Sequence, residues 1–296
     1  MTPDWDRDGR DWPNREASRF LRAGGNRWHV QVAGEGPVLL LLHGTGAATH
    51  SWRGLLPLLA RRFTVIAPDL PGHGFTEMPQ PDRLSLPGMA RGVAQLLHAL
   101  GSKPDLVAGH SAGAAIACRM VLDQAIAPRA VIGLNAALLP FEGLAGQVFS
   151  PIARMLAQLP AVPWMVSWRA GDRSMVERLL RDTGSSIDAR GTELYARLVR
   201  RPGHVAAVLG MMARWELRPL LRDLRRLPVP LYLVVGGRDR TVRPSDARRI
   251  KADLPATRIV DIPDLGHLAH EERPAEIAGI IDTIAGELGL FEAAAA

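Results

Sequence analysis

Short apolar runs recur along the chain, each followed by a segment with helical spacing, and this leaves few folds open to it. Residues 38–42 are five consecutive aliphatic side chains, Val38-Leu39-Leu40-Leu41-Leu42. A run without polar alternation suits a strand covered on both faces, as in a parallel sheet. Residues 63–67, 105–109, 130–134, 231–235 and 257–262 read as further strands, and residues 27–32, which alternate, as an opening one. Residues 52–60, 86–100, 112–122, 245–253 and 274–288 carry the apolar spacing of helices. Strands alternating with helices predict a mainly parallel sheet with helices on both faces. The alternation stops near Ala137 and resumes at Leu231. The stretch between is helical only, broken at Pro140, Pro151, Pro160, Pro163 and Pro202. The expected organisation is a core of residues 1–137 and 228–296, with residues 138–227 inserted as a helical cap.

Composition narrows the function classes. The chain has 296 residues, 47% of them hydrophobic, enough for a large core. No stretch approaches the roughly 18–20 apolar residues of a membrane span. Residues 1–11 are acidic and polar, unlike a secretory leader, so a cytoplasmic protein is expected. The lone cysteine, Cys118, excludes an internal disulfide and reads as a buried thiol. The net charge is +6, and only Lys103 and Lys251 are lysines. The arginines are spread along the chain with no nucleic-acid motif beside them, so no nucleic-acid partner is expected. The densest patch, Arg222-Asp223-Leu224-Arg225-Arg226, reads as a solvated helix face.

Gly109-His110-Ser111-Ala112-Gly113 fits G-x-S-x-G between an expected strand and an expected helix, the context that gives this motif meaning. A sharp strand-to-helix turn holds the serine in a strained conformation with its hydroxyl clear of the sheet. Its neighbours must be tiny, and Ala112, Gly113, Ala114 and Ala115 are. A serine hydroxyl is a poor nucleophile until a base takes its proton, and that base is typically a histidine oriented by a carboxylate. Asp239 follows the strand at 231–235 and His267 follows the strand at 257–262, so both are expected at the sheet edge where open α/β folds bind ligands. The order Ser111, Asp239, His267 is that of a nucleophile-elbow triad. Asp246 and Asp264 are weaker candidates for the acid: one falls within a helix, and the other is only three residues before the histidine. His270 could pair with His267 at a metal, but no further ligand stands at suitable spacing, and no metal or cofactor is expected. The loop Leu42-His43-Gly44-Thr45-Gly46 suits an oxyanion hole, with the backbone N–H groups of Thr45 and Ala112 as donors. His43 and His73 read as braces of their loops.

These four motifs, in this order, resemble the α/β-hydrolase superfamily over roughly residues 27–288. The resemblance implies the α/β-hydrolase fold: a mostly parallel eight-stranded sheet with helices on both faces and a helical cap. A narrower resemblance lies in Asp11-Trp12-Pro13-Asn14, Ser18-Arg19-Phe20 and Arg27-Trp28-His29-Val30, and in the cap segments Val176-Glu177-Arg178-Leu179-Leu180, Thr183-Gly184-Ser185, Tyr195-Ala196-Arg197-Leu198-Val199, Pro202-Gly203-His204-Val205 and Leu209-Gly210-Met211-Met212-Ala213. These are similar to the magnesium-chelatase accessory proteins of bacteriochlorophyll biosynthesis. That resemblance implies a role around magnesium insertion into a porphyrin, in photosynthesis, with transient contact to the chelatase. The chain has no G-x-x-x-x-G-K-[ST] loop for ATP-driven chelation itself.

The cap is rich in methionine and aromatic residues, as a lid over a bulky apolar ligand such as a tetrapyrrole would be, although such residues also simply pack lid helices together. His43, His110, Phe141, Met165, Trp168, Met211, Met212 and Trp215 are the candidates for the substrate pocket. Arg154, Arg169, Arg173 and Arg178 could pair with ligand carboxylates. The sequence thus leads to a serine hydrolase acting on an ester-type bond through an acyl-Ser111. The alternatives are a non-catalytic tetrapyrrole-binding or chelatase-assisting protein, and a general carboxylesterase unrelated to pigment.

Overall fold

Leu39 and Leu41 enter the core on one side of the sheet and Leu40 and Leu42 on the other, so the apolar run at 38–42 is buried on both faces. This is the alternation of a strand expressed between two cores. The computed structural model describes residues 4–140, 159, 161–169 and 173–291. Its strands are β1 (Ser18–Ala23), β2 (Asn26–Ala33), β3 (Val38–Leu42), β4 (Thr64–Pro68), β5 (Leu106–His110), β6 (Ala130–Leu134), β7 (Leu231–Gly236) and β8 (Arg258–Ile262). They form one sheet in the order β1-β2-β4-β3-β5-β6-β7-β8. The pairs β1–β2 and β2–β4 are antiparallel and the rest parallel. The helices among the described residues are α1 (Trp5–Asp8), α2 (Leu56–Leu59), α3 (Leu86–Ala99), α4 (Ala112–Leu122), α5 (Ala161–Arg169), α6 (Arg173–Asp182), α7 (Ala189–Val199), α8 (Pro202–Arg214), α9 (Arg218–Leu224), α10 (Pro244–Asp253), α11 (Ala269–Glu272) and α12 (Pro274–Glu287). Residues of α3, α4, α9 and α10 close one core, and those of α2 and α12 the other.

Two details differ from the sequence reading. Strand β1 has no period-two pattern, because it is an edge strand with only Ala23 buried. Its place is set by the turn: Gly24 and Gly25 take φ of 56° and 83°, and a two-residue turn of that hand returns the chain into β2. The helix expected over 52–60 is instead a 3-10 turn, Thr49–Trp52, followed by the single turn α2. Pro57 has no N–H to donate and fits only the first turn of a helix, where α2 places it.

From β6 to β7 the described chain is helical. α7 packs Leu194 and Leu198 against Trp12, Ala48 and Phe75 of the core, and Tyr195 and Ala196 beside Ala47 and Leu268. α8 and α9 bury Met211, Leu220 and Leu224 in the core that contains α4.

The loops leaving β3 and β4 are held by one carboxylate. Asp69 is fully buried and accepts from Thr49 N at 2.7 Å, Phe75 N at 2.8 Å and His29 Nδ1 at 2.7 Å. Burial alone would raise its pKa, but His29 and the donated N–H groups outweigh burial and hold the carboxyl far below the usual range. A group depressed in this way stabilises the fold above pH ~4, the unfolded carboxylate value, and that stability is lost as pH falls. Asp69→Asn should therefore cost about 1–3 kcal/mol in chemical unfolding at pH 7. The gap to the wild type should narrow below pH ~4; an equal gap at pH 7 and pH 3 would show that the charge is not what holds these loops.

Candidate active site

Strand β5 delivers Ser111 to the start of α4 with φ 51° and ψ −116°. Such a conformation costs a non-glycine residue on the order of 1–3 kcal/mol and persists only where the surroundings impose it. They do so here. Ser111 N donates to Leu134 O at the end of β6 (3.0 Å), and Ser111 O accepts from Ala114 N (3.2 Å) and Ala137 N (3.1 Å). Helix α4 also lies against its neighbours too closely for side chains. A Cβ on Gly113 would stand 2.1 Å from Leu42 O, and one on Gly109 2.4 Å from Ala114 N. Ser111 itself is 8% exposed, and its Oγ makes no hydrogen bond among the described residues.

Asp239 and His267 come together as a pair. The loop after β7 turns Asp239 inward, and Oδ1 accepts from Thr241 N (2.7 Å) and Val242 N (2.9 Å). His267 Nδ1–H donates to Asp239 Oδ2 at 2.8 Å, which leaves Nε2 as the ring's free nitrogen. The other acids weighed from the sequence lie elsewhere: Asp264 is an exposed partner of Arg238 (3.6 Å), and Asp246 sits on α10. His270 is buried against Trp52 and His110, and burial lowers its pKa to about 3.

Residues to which the sequence reading gave no role hold the His267 loop. Asn135, at the exit of β6, donates from Nδ2 to Gly266 O and His267 O (both 2.8 Å), and its Oδ1 accepts from Gly236 N (2.7 Å). One amide thus ties β7 to the loop after β8. Its only sequence signal is a polar residue directly after an apolar strand. From the helical stretch, Thr183 O accepts from Arg240 N (3.1 Å) and His267 N (3.4 Å), and Ser185 Oγ accepts from Leu268 N (2.8 Å). Glu272 accepts from Gly266 N (2.9 Å) and Ser186 N (3.2 Å). Gly184, at φ 85°, fits because a Cβ there would lie 1.9 Å from Arg238 O.

The pocket candidates separate on burial. His43 and His110 do not line an open space. His43 Nδ1–H donates to Gly44 O (2.8 Å) and its Nε2 accepts from Leu70 N (2.9 Å); burial pushes its pKa down, matching a neutral ring. His110 Nε2–H donates to His267 O (2.9 Å), and burial pushes its pKa well down. Both are braces, because their ring atoms are spent on backbone or enclosed by it. Met211 is buried and its Sδ accepts from Thr45 Oγ1 at 3.7 Å, while Thr45 stands exposed at the loop tip. Met212 is half-buried, and Trp215 is half-buried against the core that contains α4. Met165 and Trp168 are exposed on α5. Phe141 and Arg154 lie outside the described residues. Ala112 is the first residue of α4, so its N–H has no acceptor within the helix.

A second serine–histidine–carboxylate chain runs Ser18 Oγ to His29 Nε2 (3.0 Å) and His29 Nδ1 to Asp69 (2.7 Å). Ser18, however, has ordinary extended backbone (φ −75°), and its hydroxyl also accepts from Gln31 Nε2 (3.3 Å). It ties the N-terminal hairpin to the Asp69 loop.

A family model described as "Alpha/beta hydrolase family" matches residues 39–280. The chain is 43% identical over 273 residues to the "Magnesium-chelatase 30 kDa subunit" of Rhodobacter capsulatus, covering 92% of this chain and 95% of that protein. It is 28% identical to "Haloalkane dehalogenase 2" of Mycobacterium tuberculosis, over 89% of this chain and 93% of that one. An alpha/beta hydrolase fold protein from Burkholderia ambifaria superposes with a TM-score of 0.76 at 24% identity, over 90% of this chain and 97% of that one. With eight strands in this order, an elbow at Ser111 and a family match spanning most of its length, the chain belongs to the alpha/beta hydrolase family.

Proposed function

We propose that the protein is a serine hydrolase that cleaves an ester-type bond of an apolar small molecule, with Ser111 as nucleophile, His267 as base and Asp239 as the carboxylate that orients it. The observation that carries this reading is the buried His267–Asp239 hydrogen bond of 2.8 Å at the sheet edge where β5 delivers the strained Ser111. The bond fixes the proton on Nδ1 and leaves Nε2 to receive one.

Ser111 Oγ attacks the substrate carbonyl carbon as its proton passes to His267 Nε2. The carbonyl oxygen becomes an oxyanion, held by the N–H groups of Thr45 and Ala112. Collapse breaks the bond to the leaving alkoxide, which takes the proton from His267. Water, deprotonated by the same nitrogen, then attacks the acyl-Ser111 and releases the acid. Each oxyanion donor contributes about 3–4 kcal/mol in comparable sites, because it is aimed before the charge develops. Residues 138–227 act as the cap over this edge. The likeness to a magnesium-chelatase subunit supports a place beside magnesium insertion, with a tetrapyrrole as substrate and transient contact with the chelatase.

A fluorophosphonate probe should label the wild type and not Ser111→Ala, and Asp239→Asn should lower kcat on a nitrophenyl ester on the order of a thousand- to ten-thousand-fold. Labelling that survives Ser111→Ala would end this assignment. In a strain lacking the gene, Ser111→Ala should fail to restore pigment synthesis; full rescue by folded Ser111→Ala protein would establish a binding role in place of catalysis.

Ser185→Ala removes the acceptor of Leu268 N without touching the reacting groups. It should lower kcat roughly ten- to a hundred-fold with KM little changed, the signature of a misplaced base. An unchanged kcat would show that the Ser185 hydroxyl does not set the His267 loop.

A further inference from the structure

Helix α5 is amphipathic in the wrong sense for a packed lid. Ser167 and Pro163 are turned inward, with Ser167 Oγ buried and unpartnered, while Trp164, Met165 and Trp168 stand 69%, 57% and 78% exposed. The spacing of 164, 165 and 168 puts these three side chains on one face. Of the seven large apolar side chains exposed among the described residues, six lie between 159 and 179; Leu159, Met175 and Leu179 complete that set. The two helices present one continuous surface. Trp168 and Arg169 of α5 face Ser174, Met175 and Arg178 of α6 across an open groove of about 530 Å³. Exposed apolar area of this kind, gathered in one place, marks a surface that something covers.

Charge says what covers it. Arg169 and Arg178 are exposed at the groove beside the apolar stripe, and neither is in an ion pair among the described residues. The chain as a whole carries +6. Indole rings beside exposed guanidinium groups, on a short helix with its apolar stripe outward, match the chemistry of a bilayer interface. The rings sit at headgroup depth, and the cations meet lipid phosphates. No described helix is long and apolar enough to cross a membrane, so the contact is with its surface.

We propose that α5 and α6 form a docking face for an anionic phospholipid bilayer, with Trp164 and Trp168 inserted at the interface and Arg169 and Arg178 on the headgroup phosphates. This face draws on none of the groups of the Ser111 site, so it stands or falls independently of the hydrolase reading.

Vesicle co-sedimentation of the full chain tests it, using phosphatidylcholine with about 30% phosphatidylglycerol against phosphatidylcholine alone. The wild type should pellet with the anionic vesicles, and binding should fall as salt is raised. Trp164→Ser/Trp168→Ser should weaken binding at least about ten-fold, from the lost apolar area. Arg169→Gln/Arg178→Gln should weaken it about five-fold per arginine on anionic vesicles and leave the residual binding to neutral vesicles unchanged. All four positions are exposed, so both variants should melt with the wild type; Trp emission should shift to the blue on vesicles in the wild type and not in the tryptophan variant. Absence of pelleting at low salt, or equal pelleting by the tryptophan variant, overturns the proposal. So does a concentration-dependent dimer in sedimentation velocity that the tryptophan variant abolishes, because a second copy would then own the face.

Discussion

The approach of α4 to the strand ends governs this site. With Gly113 pressed against the carbonyl end of β3 and Gly109 against the first turn of α4, no ordinary side chain fits at either place. The chain must turn within one residue, and that residue is Ser111. Its positive φ is maintained by three backbone hydrogen bonds to the exit of β6 and the first turn of α4. The same geometry leaves the N–H of Ala112 without an acceptor in the helix, so the strain and the unspent donor share one origin.

Around this turn the protein builds a rigid rim from neutral imidazoles and a few carboxylates. Burial drives His43, His50, His73 and His110 toward the neutral form, in which a ring nitrogen can accept as well as donate. His43 uses both roles at once, donating to its own loop and accepting from the loop after β4. Two histidines meet carboxylates, and their settings differ. His29 spends both nitrogens and is enclosed, whereas His267 spends one and keeps slight exposure. The strained turn at Ser111 and the open nitrogen of His267 distinguish this edge from the Ser18–His29–Asp69 chain, in which both ring nitrogens are spent.

The inserted helices serve two kinds of contact. Thr183 to Tyr195 are wired into the rim through backbone bonds and through Glu271, which is buried, accepts from Tyr195 Oη (2.7 Å) and pairs with Arg53. α5, and the side of α6 that carries Met175 and Leu179, instead turn apolar side chains outward, while Val176 of α6 packs beside Leu268. Part of the insertion therefore belongs to the architecture of the His267 loop, and part faces away from it.

Much of this was legible in the linear chain because it depends on local rules. Short aliphatic runs without alternation, set between helical segments, read as strands buried on both faces, and a glycine-flanked serine between strand and helix reads as a tight turn. Asp239 and His267 were legible by their order and their places after strands. Strand β1 was not, since an edge strand needs no periodic burial, and the role of Asn135 was not, since its three partners lie 101–132 residues away. The bracing role of His110, the clamp from Thr183 and Ser185, and the outward stripe of α5 were decided by packing. Hydrophobic spacing says which side chains share a face, but only the neighbours determine whether that face is covered.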